Sequence, residues 1–224
     1  MKRRSTAKLV SCLAIAAALG VVMAGSPASA ATLRMAWSQD ATGLDPHKQT
    51  AFSSIRLLEL IYEPLVRLDA NLQIVPALAD SWQFSSNGTE LTFKLDPNAK
   101  FQNGDPVTSA DVKASFERIL NEATGAVARA NFLSIANIEA VDPHTVVFHL
   151  SQPDVPLLTA MTNLNAAIIS AREIEKGAIS TTPVGSGPFK LEKWDPNSRE
   201  ILVANKAWAG GATGVEAINI SVLP

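Results

Sequence analysis

Cysteine is almost missing from this chain. Of 224 residues only Cys12 carries a thiol, and it lies within the first thirty. That excludes a disulfide framework, so the folded part has to be held by its apolar core alone. Histidine is scarce too: His47, His144 and His149 are the whole set. No two of them have the i, i+4 spacing of a helical metal pair, and no cysteine assists them, so a dedicated metal site is not expected. A G-x-S-x-G nucleophile elbow is absent. Asp105, Asp111 and Glu117 read as a turn acid, a helix cap and a solvated helix face rather than as an acid–base pair, so no catalytic residue and no cofactor is expected. Internal repeats and low-complexity segments are also lacking.

What is present begins with a basic start, Lys2, Arg3, Arg4 and Lys8, followed by the apolar run LVSCLAIAAALGVVMAG and then SPASA, with Ala28 and Ala30 in an A-x-A arrangement. This is the layout of a secretory signal peptide over residues 1–30, cleaved after Ala30, and the apolar run is short for a membrane anchor. Removing it leaves fifteen bases against twenty-one acids, a net charge of −6. That balance argues against nucleic acid or an anionic membrane as a partner. An exported, acidic, cysteine-free chain suits the bacterial periplasm.

The apolar fraction of 47% with 18% charged residues is that of a globular protein. TLRMAW (32–37) alternates as a strand, and the turn-rich SQDATGLDPHKQT follows as a loop. AFSSIRLLELIY has helical spacing up to Pro64. Short extended pieces flank a turn at Asn71. WQFSSNGTELTFKLD reads as a hairpin with a type I′ turn at Asn87-Gly88. Thr108 and Asp111 form a capping box before a helix that buries Val112, Phe116 and Ile119 or Leu120. IEAVDPHTVVFHL is a second hairpin with Val146, Phe148 and Leu150 on one face. VPLLTAM and SAREIEKG read as short helices, and FKLEKW, REILVAN and VEAINISVLP as strands. Without regular β-α-β alternation, the class is mixed α+β within an α/β architecture.

PVGSGPFKL (183–191) is glycine-rich but no phosphate loop, because a helix precedes it and a strand follows. Its glycines suggest instead a fixed crossing of two backbones. Together with LDPHK (44–48), YEPLVRLD (62–69), the long PALADSWQFSSNGTELTFKLDPNAKFQNGDPVTSADVKASFERIL (76–120), VDPHTVVFHL and NKAWAGG (205–211), it resembles the extracellular solute-binding proteins of the dipeptide/oligopeptide/nickel class (family 5), the receptor subunits of ABC importers.

The resemblance implies a periplasmic binding protein of type II-like fold that closes on its ligand by a hinge. It implies a monomer that takes a small peptide, or a nickel chelate, haem, glutathione or sugar, and meets membrane permease subunits. Family members run much longer, so the expectation is a truncated first lobe. Residues 31–54 and 183–224 would form its ligand-facing sheet domain and residues 55–182 an extra α+β domain. The alternative is a remnant that no longer binds. Carried over from the family, Gln49, Thr50, Ala51 and Phe52 would present backbone to a peptide as an added strand. Trp37, Ser38, Gln39 and Asp40 would line the same cleft, with Asn163, Asn165 and Ser186 as further candidates. In PVGSGPF, Ser186 stands where the family has threonine and Phe189 where it has tyrosine.

Overall fold

The structure is a computed structural model that describes residues 31–223; the expected signal segment lies outside the described residues. In chain order the elements are β1 (Thr32–Trp37), α1 (Phe52–Leu58), β2 (Val66–Leu68), β3 (Ile74–Pro76), β4 (Ala79–Phe84), β5 (Glu90–Leu95), α2 (Ser109–Leu120), β6 (Ile135–Asp142), β7 (Thr145–Leu150), α3 (Leu157–Ala160), α4 (Ala171–Lys176), β8 (Phe189–Asp195), β9 (Arg199–Ala204) and β10 (Ala217–Val222).

The middle of the chain builds an antiparallel sheet of order β4-β5-β7-β6. Alternation aims Leu91, Phe93, Leu95, Val146, Phe148 and Leu150 at one face, where all are buried. Helix α2 covers that face. Phe116 meets Phe132 and Phe148 edge-on, with ring centroids 5.3 and 4.9 Å apart, an arrangement aromatic quadrupoles favour. The helix starts as its sequence predicts. One oxygen of Asp111 accepts from the Thr108 N–H and hydroxyl, and the other accepts from the Ala171 N–H at the head of α4. The Asn87-Gly88 turn differs from expectation. Gly88 has φ 70° but Asn87 stays in the negative region, so the turn is not type I′. The Ser85 carbonyl accepts from Gly88 N–H and the Asn87 side chain accepts from Thr89 N–H. The longer loop lets Asn87 act through its side chain instead of its backbone.

Strands β2 and β3 form a small antiparallel pair, and the two ends of the described chain build the second four-stranded sheet, of order β1-β10-β9-β8, in which β1 and β10 run parallel and the remaining pairs are antiparallel. Its inner face packs on Leu57, Leu58, Ile61, Tyr62, Leu164, Ala167, Ile169 and Ile179. Helix α1 is shorter than its periodicity predicts. Past Leu58 the backbone serves another purpose: the Leu60 carbonyl accepts from Phe189 N–H, and the Ile61 carbonyl from Gly187 N–H and Gln102 Nε2. This is the crossing that PVGSGPF makes. A Cβ on Gly185 would land on the Ile61 carbonyl, and one on Gly187 would lie 2.8 Å from the Ile61 carbonyl carbon, so only glycine fits. Gln102 pins the crossing by also donating to the Phe189 carbonyl at 2.7 Å.

Candidate functional site

Parallel neighbours β1 and β10 end at the same rim of their sheet. In open α/β sheets the crevice beyond the carboxyl ends of the strands is where ligands sit. Here that crevice is a recess of about 430 Å³ lined by Ser38, Gln39, Asp40, Ala41, Thr42, Ala51, Ser53, Asn197 and Val222. Trp37, the last residue of β1, stands beside it. The Arg56 guanidinium lies 3.7 Å from the Trp37 ring centroid and 5.9 Å from that of the exposed Phe52, and it donates to the Gln39 carbonyl at 2.9 Å.

Asp40 organises the wall. It accepts from Ala41 N–H at 2.8 Å, from Trp194 Nε1 at 3.0 Å and from Asn197 N–H at 2.6 Å. Burial pushes its carboxyl up, but these donors together with Glu200 outweigh that, and it titrates below the usual carboxylate range. Asn197 reaches it from a left-handed turn position, φ 59°, which asparagine tolerates. Glu200 sits behind, wholly buried on β9, and accepts from the same Ala41 N–H at 3.3 Å. Burial first, then the hydrogen bond and charge of Asp40, push it up to about 7.

A second cluster fixes the loop that leads into α1. Arg118 on α2 donates to both oxygens of the buried Asp45 and, at 2.7 Å, to His47 Nδ1; His47 Nε2 then donates to the Ala167 carbonyl at 2.9 Å. Burial above all, and the Arg118 charge next, push His47 down to about 4, so it is a neutral imidazole locked in one tautomer. Asn165 Nδ2 donates to the Pro46 and Gln49 carbonyls at 2.6 and 3.0 Å.

The structure therefore brings Ser38, Gln39, Asp40 and Ala51 together in the recess, with Trp37 and Phe52 at its edge. Gln49 hydrogen-bonds Thr42 across the neighbouring loop at 3.0 Å. The segment 49–52 is not an open strand. The Gln49 carbonyl is taken by Asn165, and the Ala51 carbonyl accepts from Ser54 and Ile55 as α1 begins at Phe52, which leaves Thr50 exposed between them. The other three candidates lie elsewhere. Asn165 braces the loop from behind. Asn163 lines a separate recess of about 510 Å³ with Glu59, Glu63, Arg67 and Trp208. Ser186 is buried in the backbone crossing. Sequence reasoning missed Thr42, Ser53, Asn197, Val222 and Glu200. Asn197 carried a signal in the D-P-N-S turn. Glu200 showed as an acid in the inward row Glu200, Leu202, Ala204. Among the described residues no group of three or more His, Cys, Asp or Glu could hold a metal ion, and no helix is long and apolar enough to cross a membrane.

Residues 73–224 match the family profile of the bacterial extracellular solute-binding proteins, family 5 (middle region). The chain belongs to the family 5 solute-binding proteins. It is 37% identical over 153 residues to a probable D,D-dipeptide-binding periplasmic protein of Escherichia coli K12, a match covering 65% of this chain and 29% of that protein. To the glutathione-binding protein GsiB of Escherichia coli O6:K15:H31 it is 32% identical, over 90% of this chain and 40% of GsiB. Among solved structures, the binding protein AgaA of A. tumefacien R10, in complex with agropinic acid, superposes with a TM-score of 0.81 at 32% identity, over 86% of this chain and 40% of AgaA. The mixed α/β fold is thus that of type II periplasmic binding proteins. The family 5 chain spans about 30 to 40% of the length of these relatives.

Proposed function

We propose that this family 5 chain supplies one wall of the ligand cleft of a periplasmic solute-binding component, which delivers a di- or oligopeptide to the permease subunits of an ABC importer. The observation that carries this reading is the recess at the shared rim of β1 and β10, with Asp40, Gln39 and Ser38 facing it and two aromatic rings at its edge. Polar groups on a rigid sheet rim, next to apolar surface, are what a small polar solute needs for orientation. Export through residues 1–30 and action as a monomer belong to the same reading. So does a division into a ligand-facing unit, 31–54 with 183–224, and an inserted unit, 55–182; two separate buried clusters support two units, but Leu57 to Tyr62 and Leu164 to Ile179, from within 55–182, pack in the cluster beneath the ligand-facing sheet.

The test is thermal unfolding of residues 31–224 with a mixed di- and oligopeptide pool. Ligand at about 100 times its dissociation constant adds roughly 2.7 kcal/mol and raises the midpoint by several degrees. A cooperative transition that peptides leave unmoved sinks the peptide reading. It would favour the alternatives of a non-binding lobe or of another solute, which the same assay run with glutathione, a sugar pool or a nickel chelate would separate.

A further inference from the structure

Glu200 is anomalous on physical grounds. It occupies an inward strand position between Trp194 and Ile220, its partners in the neighbouring strands, and it is fully buried. One oxygen, Oε1, shares the Ala41 N–H with Asp40; the other, Oε2, has no donor among the described residues. An ionised carboxylate with a bare buried oxygen is costly to hold. Among the described residues no cation forms an ion pair with it, and the Arg56 charge offsets only part of the cost. Arg56 faces it from α1, but the guanidinium rests on Trp37 and donates to the Gln39 carbonyl. Lys193, Asp195 and Arg199 of the adjoining β8–β9 turn pair among themselves at 3.0 and 2.7 Å. What does face Glu200 is a second carboxyl. Because both groups converge on one N–H, Asp40 is the acceptor at hand if Glu200 carries a proton.

We propose that Glu200 is a positioning residue whose proton locks the wall of the recess. Neutral, it donates its proton in a hydrogen bond to Asp40 and clamps the 38–42 loop and the Asn197 turn onto β9; ionised, it sets two carboxylates against each other and releases that wall. Its upward displacement to about 7, caused first by burial and then by Asp40, agrees with this geometry. The proton leaves to solvent, and the repulsion is relieved by movement of the loop, because the strand is fixed by its ladder. Of the groups on the wall, Asp40, Ala41 and Asn197 line the recess directly. The inference concerns the wall and stands whether or not the bound solute is a peptide.

The experiment uses the full chain without ligand. Carboxyl ¹³C NMR of glutamate-labelled protein gives the Glu200 titration, assigned by its loss in E200Q. A midpoint more than one unit above the ordinary glutamate value supports the lock, and an ordinary or lower midpoint overturns it. Amide exchange, corrected for intrinsic rate, then reads the wall. From about pH 5.5 to pH 8 the Ala41 and Asn197 amides are expected to lose roughly tenfold more protection than the Phe93 amide. In E200Q, which keeps a donor but cannot ionise, that extra loss disappears. Equal behaviour of wild type and E200Q overturns the proposal. If E200Q does not fold, the wild-type exchange decides the matter alone: an extra loss of protection at Ala41 and Asn197 over Phe93 supports the lock, and its absence overturns it.

Discussion

The two buried clusters of this family 5 chain are built on different principles. Around β4-β5-β7-β6 the core is aromatic and aliphatic throughout, and its buried polar groups, such as Asp111 and Ser115, serve a helix start and a backbone carbonyl. Beneath β1-β10-β9-β8 the cluster includes or adjoins Asp45, His47, Glu200, Asn205 and Ser186, while Leu33 and Met35 on the same sheet face are 44% and 38% exposed. The first region is a scaffold that buries what its sequence offers. The second spends buried volume on charges and leaves apolar surface open, which is how binding regions depart from a stability optimum. The recess lies in the second.

The largest effect should come from the scaffold. Phe116→Ala removes the ring that joins Phe132 to Phe148 and should cost about 4 kcal/mol. Urea unfolding would show it as a lower midpoint. If the loss stays below about 1 kcal/mol, the packing contrast between the regions collapses.

The next effect is confined to the second region and reads as pH dependence. His47 is held below its ordinary value, so between about pH 4 and 6.5 the unfolded chain binds more protons and stability rises with pH. Glu200 is held above its ordinary value, so from about 4.5 to 7 the folded chain binds more and stability falls as pH rises. The two slopes, each about 1.4 kcal/mol per unit, oppose each other where they overlap. E200Q removes one of them. Its stability relative to wild type should therefore grow by about 3 kcal/mol from pH 4.5 to 7. His47→Gln should uncover the opposite slope. Parallel stability curves for wild type and both variants would show that neither buried group titrates as its surroundings dictate.

The scaffold was the legible part of the sequence. Alternation in ELTFKL and TVVFHL and the Thr108/Asp111 start each encode a local requirement, and each appears in place, as do the crossing glycines of PVGSGPF in the second region. The recess was legible only where a strand end marks it, at Trp37 to Asp40. Asn197 and Val222 lie more than 150 positions away in the chain; Val222 joins the rim by pairing with Trp37, and Asn197 by its N–H bond to Asp40 from the β8–β9 turn, which no local pattern announces. Asn165 and Ser186 lie away from the recess for a related reason. Their polar character serves loop and crossing geometry, and sequence alone does not tell a buried hydrogen-bonding role from an exposed one. The Asn87 turn shows the same limit on a smaller scale: the dipeptide promised a left-handed pair, and the longer loop used only Gly88.

The smallest expected effect sharpens the comparison most. In the alternating face Leu33, Met35, Trp37, opposite Ile218, Ile220 and Val222, the inner strand is buried and the outer strand is not. A residue with little packed on it contributes little, so Leu33→Thr should change stability by less than about 0.5 kcal/mol. Ile220→Ala, one strand further in, should cost about 2 kcal/mol or more. The pair of denaturation midpoints compares the value of coverage at two positions on one sheet face. If Leu33→Thr costs as much as Ile220→Ala, then β1 is covered in solution, and the second region is as fully packed as the first.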